Sequence, residues 1–389
     1  MEIVAEIGTS HSGDIEKAKK MIASAAENGA TVIKFQWVYA NEILHPDTGF
    51  VELPGGRIPL YQKFKSLEVK KEFFEECLKY THKCGAKFLC SPFGKQSLEE
   101  LISINPDMIK IASPELNHIP LLKRAAEICK NIPIVISSGV STLGDIEKAI
   151  NTLTDGGVKK ENITLLHCST FYPTPEEEYN VKVIKNLSAV FGIKCGISDH
   201  STDPVLIPVL NTICGGVMIE KHFTLSNETD GLDDPVALTP QKFALMCHAV
   251  KQTQAIIERY RNETNALNGA SIQFTQDYIP ESAFDYVVKN LSREYPMEKI
   301  TACLGDGIKR LGKSERQNYG RTNRSIHYMR TMKKGEQLRE QDLGILRTEK
   351  ILTPGLHPDF LTRIIGAKLS RDVQNGSGVQ LEDLFIKEQ

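Results

Sequence analysis

Two histidines at the ends of two apolar runs are the residues of this 389-residue chain best suited to chemistry. In the stretch GISDHSTDPVLIPVLNTICGGVMIEKHF, each has a polar partner two residues earlier, Ser198 before His200 and Glu220 before His222. Residues two apart on a strand point to the same face, so each pair would project together. If the two strands are parallel neighbours, the imidazoles converge at one sheet edge, where they are suited to hold a divalent metal.

The histidines belong to a repeating pattern of short apolar runs and amphipathic helical segments. Through the first ~250 residues the two kinds of segment alternate, which is typical of repeated strand–helix units. The eight runs predicted as strands are residues 3–8, 31–36, 87–93, 108–113, 133–139, 163–168, 194–200 and 216–223. Eight units over this length predict an α/β fold of the (β/α)8 TIM-barrel type, and a doubly wound sheet is the alternative.

Polar side chains recur at the carboxyl end of every predicted strand. A barrel brings these ends around one pit, so we expect the side chains to line a common site. A single buried serine or histidine is usually a satisfied core group, but its recurrence on every strand favours an active site. The residues concerned are Glu6, Lys34, Gln36, Ser91, Lys110, Ser113, Ser137, Ser138, His167, Ser198, His200, Glu220 and His222.

Lys34 and Lys110 lie on separate predicted strands with serines between them, which gives a basic pocket suited to a phosphate or a carboxylate. Glu6 and Glu115 are placed to position hydroxyl groups or to transfer protons beside it. A metal next to an anion site indicates polarisation of a second substrate's carbonyl group. The residues alone therefore predict an enzyme that joins a phosphorylated anion to a carbonyl compound. An aldolase, a phosphohydrolase and an epimerase are the alternatives.

Composition argues against several other classes of protein. The 47 basic and 49 acidic residues form no long block of one sign, so we expect neither nucleic acid nor an anionic membrane as a partner. The nine cysteines contain no C-x-x-C pair, which argues against a disulfide framework and a structural zinc ribbon. The chain begins in a strand-like run without a basic leader, and no apolar stretch reaches the ~20 residues of a membrane span. We therefore expect a cytoplasmic protein.

Two regions stand outside the strand–helix repeat. Residues 41–61 form part of the longest gap between predicted strands, and a long loop on the active face of a barrel is a candidate lid, with an ordinary surface loop as the alternative. Beyond the last predicted strand the pattern changes to mixed segments and then to short strands and turns. We predict a catalytic barrel over residues 1–255, a linker with an extra segment over 256–322 and a small β-rich module over 323–389.

Eight motifs along the chain resemble, in order, those of the N-acetylneuraminate (sialic acid) synthase family. They are IVAEIGTSHSGD, VIKFQ, CSPFG, IKIASPEL, ISSGVSTLGDI, LLHCSTFYPTP, GISDHST and IEKHFTL. The C-terminal segment, with MKKGEQL, an arginine after LGIL and a closing GVQLEDL, resembles the antifreeze-like (SAF) domain of that family. The resemblance implies a TIM barrel followed by a SAF domain. It also implies a metal-dependent transferase that condenses phosphoenolpyruvate with an N-acylated hexosamine, such as N-acetylmannosamine, to give a nonulosonic acid and phosphate.

The resemblance further implies a role for individual residues. The phosphate and carboxylate of phosphoenolpyruvate would be taken by the two lysines, and the metal would be Mn²⁺ or Mg²⁺. The SAF domain of a partner subunit would supply an arginine to the sugar in a domain-exchanged homodimer. The implied residues are Lys34, Ser91, Lys110, Ser113, Ser137 and Ser198 for phosphoenolpyruvate; Glu6, Glu115, His200 and His222 for catalysis; His200 and His222 for the metal; and Glu115, Tyr172, Asp233 and Arg347 of the partner subunit for the sugar.

Departures from the family pattern fall around the sugar. Ser10 stands where asparagine is usual before the histidine, and the turn of residues 230–233 lacks its two usual prolines. Trp37 follows VIKFQ where a small hydroxyl residue is common, and we expect it to wall a differently shaped sugar pocket. Residues 268–300 lengthen the connection to the SAF domain, with no role apparent from sequence.

The identity of the sugar stays open at this point. N-acetylmannosamine, its 6-phosphate and the diacetamido-trideoxy hexoses that lead to legionaminic and pseudaminic acids are alternatives, and relatives in spore-coat polysaccharide synthesis share the motifs. A non-catalytic carbohydrate-binding protein is the alternative from another class. That reading predicts a decayed barrel site, which the retained lysines and histidines argue against.

Overall fold

A closed barrel of eight parallel strands forms the centre of the computed structural model, which describes residues 1–53, 56–228, 231–268 and 278–384. The strands of this part of the chain are β1 (Glu2–Gly8), β2 (Val32–Trp37), β3 (Phe50–Leu53), β4 (Gly56–Pro59), β5 (Lys87–Pro92), β6 (Met108–Ile111), β7 (Ile134–Ser137), β8 (Ile163–His167), β9 (Lys194–Asp199), β10 (Met218–His222), β11 (Arg324–Tyr328) and β12 (Leu343–Arg347). The barrel order is β1-β10-β9-β8-β7-β6-β5-β2, and β2 pairs with β1. The eight predicted strands and the TIM barrel are confirmed.

Helices follow the barrel strands and pack around them. Those of the described part are α1 (Ile15–Glu27), α2 (Ala40–Ile43), α3 (Leu60–Lys65), α4 (Lys71–Lys83), α5 (Lys95–Ser103), α6 (Ile119–Ile128), α7 (Leu143–Asp155), α8 (Val183–Phe191), α9 (Leu206–Ile213), α10 (Pro240–Asn268), α11 (Glu281–Leu291), α12 (Met297–Leu304) and α13 (Leu361–Ile364). None of these helices combines the length and the hydropathy that crossing a bilayer requires.

The first helix illustrates why the sequence folds locally as it does. The Asp14 carboxylate accepts hydrogen bonds from the backbone N–H groups of Glu16 at 2.8 Å and Lys17 at 3.1 Å, so it satisfies donors that the helix itself cannot. Ala18 and Met21 recur at helical spacing on the buried face of α1. The helix is therefore fixed at its start by a cap and along its length by packing.

The barrel interior is built in two layers because side chains alternate along each strand. The lower layer is an apolar floor made of Val4, Val32, Leu89, Met108, Val135, Leu166 and Met218. Two residues further along each strand, the side chain points to the same face. Six of the seven strands that supply the floor therefore carry a polar residue directly above it: Glu6, Lys34, Ser91, Lys110, Ser137 and Glu220. The floor thus fixes the height and direction of the polar layer.

The segment after the barrel belongs to the barrel's hydrophobic shell. All eight residues of α9 are buried, because α10, α11 and α12 pack against it. Val287 and Leu291 of α11 and Ile300 of α12 join the main core. The predicted boundary at residue 255 falls inside α10, and the domain limits stay a prediction. Part of the predicted extra segment, residues 269–277, lies outside the described residues.

The C-terminal module is a small β-rich unit seated at the mouth of the barrel. β11 and β12 pair antiparallel, with Arg324 opposite Arg347. The core of the module consists of Ile326, Tyr328, Met332, Leu338, Ile364, Leu369, Val373 and Val379. So small a core gives limited stability by itself, so contacts with the barrel matter for the module.

The predicted lid lies between the module and the cavity mouth. Its described residues include α2 and the β3–β4 hairpin, whereas Pro54 and Gly55 lie outside the described residues. The Thr48 hydroxyl donates to the backbone carbonyl of Thr348 at 3.1 Å, and Leu44 forms a strand bridge with Arg347. This loop is therefore attached to the module; that it opens and closes stays a prediction.

The shell formed by α11 generates a test of stability. Leu291→Ala should lower the free energy of unfolding by about 2–4 kcal/mol, because it leaves a cavity where α11 meets the core. Leu267→Ala, at a leucine that is 88% exposed on α10, is the matched control and should change it by less than about 0.5 kcal/mol. Urea unfolding measures both. Equal effects would contradict the role of α11 as part of the shell.

Candidate active site

A cavity of about 230 Å³ opens at the carboxyl ends of the barrel strands. The site residues predicted from sequence that line it are Glu6, Lys34, Ser91, Lys110, Ser113, Ser137, Tyr172, Ser198, His200, His222, Asp233 and Arg347. Gln36 and Glu220, which the strand-end pattern also indicated, line it as well. Of the residues predicted for the site, Glu115, Ser138 and His167 do not line this cavity. The individual roles of the lining residues stay predictions.

Buried ion pairs occupy the polar layer above the floor. Lys34 Nζ lies 2.8 Å from Glu6 Oε1 and 3.5 Å from Glu220 Oε1. Lys110 Nζ donates to Glu220 Oε2 at 2.6 Å. Burial by itself would raise the pKa of Glu220, but the ammonium groups of Lys110 and Lys34 outweigh burial and lower it. Glu220 is therefore ionised, and it links the two lysines into one charged cluster.

Several polar atoms beside this cluster lack a partner. Ser91 Oγ, Ser137 Oγ and Glu6 Oε2 are buried and make no hydrogen bond within the described part of the chain. Each lysine ammonium has three donors, so donors also remain on Lys34 and Lys110. Buried polar atoms are normally satisfied, and a group of unsatisfied ones around a cavity indicates where a ligand binds. The donors present suit an anionic ligand with several oxygens.

The two histidines stand at the edge of this cavity with their rings 5.6 Å apart. His200 Nδ1 lies 2.7 Å from the backbone carbonyl of Ser169, and a carbonyl only accepts, so Nδ1 carries the proton and donates it. The lone pair is then on Nε2, which lies 3.3 Å from the hydroxyl oxygens of Ser198 and Tyr172. Burial, and then the positive charge of a protonated His222, lowers the pKa of His200 to about 3. At neutral pH, His200 has the uncharged form that binds metals.

The histidine pair fits part of a metal site. No group of three or more histidine, cysteine, aspartate or glutamate side chains within the described ranges is arranged to hold an ion. The nearest of these carboxylates to His222 is that of Asp233, whose Oδ2 lies 3.8 Å from His222 Nδ1. Two imidazoles facing a polar cavity therefore suit an ion whose other positions are filled by substrate or water.

Tyr172 and the turn before Asp234 form the outer wall of the site. The Tyr172 ring stacks on His200 with centroids 4.2 Å apart and meets His222 edge-on. The Ser10 hydroxyl donates to the Asp234 carboxylate and so ties the loop after β1 to the turn that carries Asp233. Ser10, which stands where the family usually has asparagine, therefore helps to hold that turn in place. The first residue of the altered turn, Asp230, lies outside the described residues.

Three residues predicted from sequence to line the site do not line it. Ser138 is not part of the cavity lining, and its hydroxyl donates to the carbonyl of Leu166 at 3.4 Å. Trp37 stacks on Phe74 at 4.1 Å in the shell between β2 and α4, so the prediction that it walls the sugar pocket is wrong. His167 Nε2 lies 2.8 Å from the carbonyl oxygen of Tyr179, outside the barrel. Trp37, Ser138 and His167 each lie one residue out of step with an inward-facing neighbour. Because side chains alternate along a strand, the inward-facing Leu166 and Cys168 would have indicated that His167 faces outward.

Glu115 is placed behind the cavity rather than in it. Its carboxylate is fully buried, and Oε1 accepts from Arg347 Nη2 at 2.7 Å and from Arg324 Nη2 at 3.0 Å. It is not among the described residues that line the cavity, so its predicted contact with a sugar does not fit this placement. The physical reason is the two arginines, which draw the carboxylate toward the module. Glu115 holds Arg347 at the cavity rim.

The Arg347 that lines the cavity belongs to the same chain, whereas a partner's arginine was expected. Its guanidinium carbon lies 5.4 Å from the ring centre of Phe93. The module reaches its own barrel because residues 305–323 run back along the mouth. The same contacts would form if two chains exchanged modules, so the exchange stays a prediction.

Arg324 is a structural residue that sequence reasoning missed. Its side chain is buried and donates to the backbone carbonyls of Phe93 at 2.9 Å and Ile345 at 3.1 Å, and to that of Glu42. Burial lowers the pKa of Arg324 to about 10. Arginine side chains are usually exposed, so nothing in the sequence around Arg324 indicated that it is buried. Arg324 therefore links the loops of the barrel, the C-terminal module and Glu115.

The linker contributes two more buried charges that sequence reasoning missed. The Glu315 carboxylate accepts from the backbone N–H groups of Val140 at 3.0 Å and Thr170 at 2.8 Å. Lys309 Nζ donates to the carbonyl of Ser138 at 2.9 Å. These bonds fix the loops after β7 and β8, which follow Ser137 and lead to Tyr172. The linker therefore holds two walls of the cavity.

Replacing Arg324 tests how the module is held. Arg324→Lys keeps a charge but cannot reach Glu115 and three carbonyls at once, because lysine lacks the forked guanidinium. The module should lose about 2 kcal/mol of local stability, which speeds hydrogen exchange of the β11 and β12 amides about 30-fold. Arg310→Lys, at an exposed ion pair with Asp306, is the control and should leave exchange unchanged. Unchanged exchange in Arg324→Lys would contradict this role.

His167 gives a pH-dependent prediction. Burial, and then the charge of Lys309, lowers the pKa of His167 to about 3. The unfolded chain, with a pKa of about 6.5 at this residue, binds a proton that the folded protein does not, so stability falls as pH drops below about 6.5. Between pH 7.5 and 5.0 the protein should lose about 2 kcal/mol more than His167→Gln, which does not titrate. Urea unfolding at both pH values measures this; equal losses would contradict it.

Comparison with known proteins agrees with this architecture. Residues 21–261 match the NeuB family, and residues 323–384 match the SAF domain. The N,N'-diacetyllegionaminic acid synthase of Campylobacter jejuni is 30% identical over 374 residues, which cover 95% of this chain and 97% of that protein.

Two solved structures are similar to this chain. The spore coat polysaccharide biosynthesis protein SpsE of Bacillus subtilis has a TM-score of 0.78 and 28% identity and covers 100% of this chain and 96% of its own. The N-acetylneuraminic acid synthetase of Leptospira borgpetersenii has a TM-score of 0.58 and 27% identity and covers 75% of this chain and 92% of its own. The predicted family and SAF domain are confirmed. The chain belongs to the NeuB family, as a barrel with its lysine and histidine site at the strand ends and a SAF domain at the mouth.

Proposed function

We propose that this protein condenses phosphoenolpyruvate with an N-acylated hexosamine to give a nonulosonic acid and inorganic phosphate. The observation that carries the proposal is the group of Lys34, Lys110 and the unsatisfied hydroxyls of Ser91 and Ser137, which lines the same cavity as His200 and His222. A small phosphorylated carboxylic acid has the oxygens that these donors lack. Membership of a family whose relatives are sugar-acid synthases supports the same reaction.

The lysines and serines bind the donor substrate. Lys34 and Lys110 take the phosphate and carboxylate of phosphoenolpyruvate, and the hydroxyls of Ser91 and Ser137 donate to the remaining oxygens. The negative charges of Glu6 and Glu220 offset the positive charges of Lys34 and Lys110, so this cluster has no net positive charge before phosphoenolpyruvate binds. The apolar floor keeps water away from below, which strengthens these contacts.

Divalent Mn²⁺ or Mg²⁺ held by His200 and His222 would supply Lewis-acid polarisation of the aldehyde carbonyl of the open-chain sugar. The carbonyl of Ser169 keeps His200 in the tautomer that presents Nε2 to the cavity. Tyr172 stacks on the same ring and limits its rotation. These contacts orient the imidazoles before any substrate binds.

Glu6 transfers the proton of the attacking water in the proposed reaction. Its Oε1 accepts from Gln36 at 2.7 Å and pairs with Lys34, whereas Oε2 is free within the described residues. The enol carbon of phosphoenolpyruvate bonds to the aldehyde carbon, and water adds to the adjacent pyruvyl carbon. Oε2 accepts a proton from that water and transfers it to the alkoxide oxygen formed from the aldehyde. The bond from the pyruvyl carbon to the phosphate oxygen then breaks while the new hydroxyl on that carbon loses its proton to the departing phosphate and becomes the keto group. The phosphate leaves while bound by the lysines.

The acceptor sugar is oriented by the upper wall. Asp233 and Tyr172 bind its hydroxyl groups, and an Arg347 N–H donates to the carbonyl of its N-acyl group. Glu115 acts through Arg347, by holding the guanidinium at the rim. A cytoplasmic homodimer that exchanges its SAF domains is part of the proposal, and the small core of the module supports it.

The test is phosphate release from phosphoenolpyruvate with Mn²⁺ across a panel of N-acylated hexosamines, their 6-phosphates and plain aldoses. Turnover that requires an acylated sugar and yields a nonulosonic acid by mass spectrometry is expected. Folded protein that releases no phosphate with any acylated sugar would refute the proposal.

Replacement of a histidine tests the site. His222→Ala should lower kcat at least about 100-fold, because it removes one of two side chains that would hold the metal. His248→Ala, at an exposed histidine on α10, is the matched control and should keep full activity. Full activity of metal-depleted His222→Ala in the presence of chelator would remove the assignment of His222 as a ligand.

A further inference from the structure

A buried ion pair lies on the outer side of the two strands that lead to the histidines. Lys221 of β10 and Asp199 of β9 are opposite each other in the strand register, and each comes immediately before one histidine, His222 and His200 respectively. Lys221 Nζ donates to Asp199 Oδ2 at 2.6 Å, and both side chains are buried. Because side chains alternate along a strand, the pair points away from the cavity that the histidines line.

Lys221 also holds the loop that carries His200. Its ammonium donates to Ser201 Oγ at 3.0 Å and to the backbone carbonyl of Asp203 at 3.0 Å. An ammonium has three donors, so with its ion pair Lys221 makes all the hydrogen bonds that it can. All three acceptors lie within three residues of His200. Lys221 therefore links the residue before His222 to the chain on both sides of His200.

The turn between α11 and α12 supports this network from outside. The Tyr295 hydroxyl donates to the Asp203 carboxylate, at 3.0 Å from Oδ2 and 3.1 Å from Oδ1. Asp203 Oδ1 also accepts from the backbone N–H groups of Val205 at 2.7 Å and Leu206 at 2.8 Å, at the start of α9. Tyr295 belongs to the segment that lengthens the connection to the SAF domain. That segment thus reaches the loop of the first histidine.

The contact of α12 with the loop after β8 is weaker. Lys299 Nζ lies 2.9 Å from Glu176 Oε2, and Glu176 follows the segment of Tyr172, whose ring stacks on His200. Both members of this ion pair are partly exposed, and such pairs contribute little. Lys221 is only 1% exposed, and a buried charged hydrogen bond is costly to lose. The contacts of Lys221 are therefore the ones that hold the histidines.

We infer that Lys221 is a positioning residue for the histidine pair, and that Tyr295 supports it through Asp203. The three hydrogen bonds of Lys221 set the separation of the two imidazole rings. The inference rests on the proposed function, in which these rings hold a divalent ion. Metal–nitrogen distances vary by only about 0.2 Å, so a small change in ring separation weakens binding. Lys221 lies outside the cavity, and the donor-site lysines lie on β2 and β6, so its loss should affect the metal more than phosphoenolpyruvate.

A neutral replacement of the ion pair tests this role. Asp199→Asn combined with Lys221→Met leaves no unpaired charge in the shell, so the protein should fold. The Kd for Mn²⁺, measured by isothermal titration calorimetry, should rise at least about 10-fold, as for other residues that support metal ligands. The Kd for phosphoenolpyruvate without metal should stay close to its original value. Glu2→Gln combined with Lys87→Met, at a partly exposed pair where β1 and β5 begin, is the matched control and should change neither Kd.

Two results of this titration would overturn the inference. One is an unchanged Kd for Mn²⁺ in the folded protein that carries Asp199→Asn and Lys221→Met. The other is an equal rise in the Kd values for Mn²⁺ and phosphoenolpyruvate, because that result indicates a general loosening of the barrel rather than a change in ring separation.

Removal of one hydroxyl tests the outer support. Tyr295→Phe deletes the donor to Asp203 and keeps the aromatic ring, so it should raise the Kd for Mn²⁺ about 3-fold, as the loss of one hydrogen bond. Tyr286→Phe, at an exposed tyrosine on α11, is the matched control and should leave the Kd unchanged. An unchanged Kd in Tyr295→Phe would overturn the part assigned to Tyr295.

The outcomes separate the inference from the function on which it rests. His222→Ala gives the background for Mn²⁺ bound elsewhere on the protein. If the unsubstituted protein binds no more Mn²⁺ than His222→Ala, the metal role proposed for the histidines is refuted, and the inference with it. If it binds Mn²⁺ and turns over an acylated sugar, and the variants at Asp199, Lys221 and Tyr295 bind the ion as tightly, only the inference is overturned.

Discussion

Buried charge inside the barrel is the constraint on which the rest of this structure depends. Lys34 and Lys110 share that space with Glu6 and Glu220, and a buried charge is tolerated only with a partner of opposite sign. Strand pairing provides the spacing, since Glu6 of β1 is in register with Lys34 of β2 and with His222 of β10. A shift of one residue in any of these strands would turn the charges into the hydrophobic shell.

The cavity above this cluster is completed by parts of the chain that are distant in sequence. The linker holds the loops after β7 and β8 through Glu315, and the module brings Arg347 to the rim through Glu115. In the proposed reaction, the residues that bind the donor therefore come from the barrel strands alone, whereas those that bind the acceptor come also from the loops and the module.

The features that depend on local sequence patterns could be predicted. Apolar runs located the barrel strands, and polar residues at their ends located the cavity, because a closed barrel leaves few alternatives. Errors arose where one residue decides the direction of a side chain, as for Trp37 and His167. Arg324, Glu315 and the position of Glu115 could not be predicted, since each depends on a contact between segments more than 140 residues apart, which no local pattern records.

The seat of the module also sets an order of events during synthesis. All residues of the barrel shell, through α12, precede Arg324 and Arg347 in the chain and are therefore synthesised first. A nascent chain that ends between them contains Lys34, Lys110, Ser91 and Ser137 but lacks Arg347 at the cavity rim. The rim is thus the last part of the cavity to form, when β12 pairs with β11.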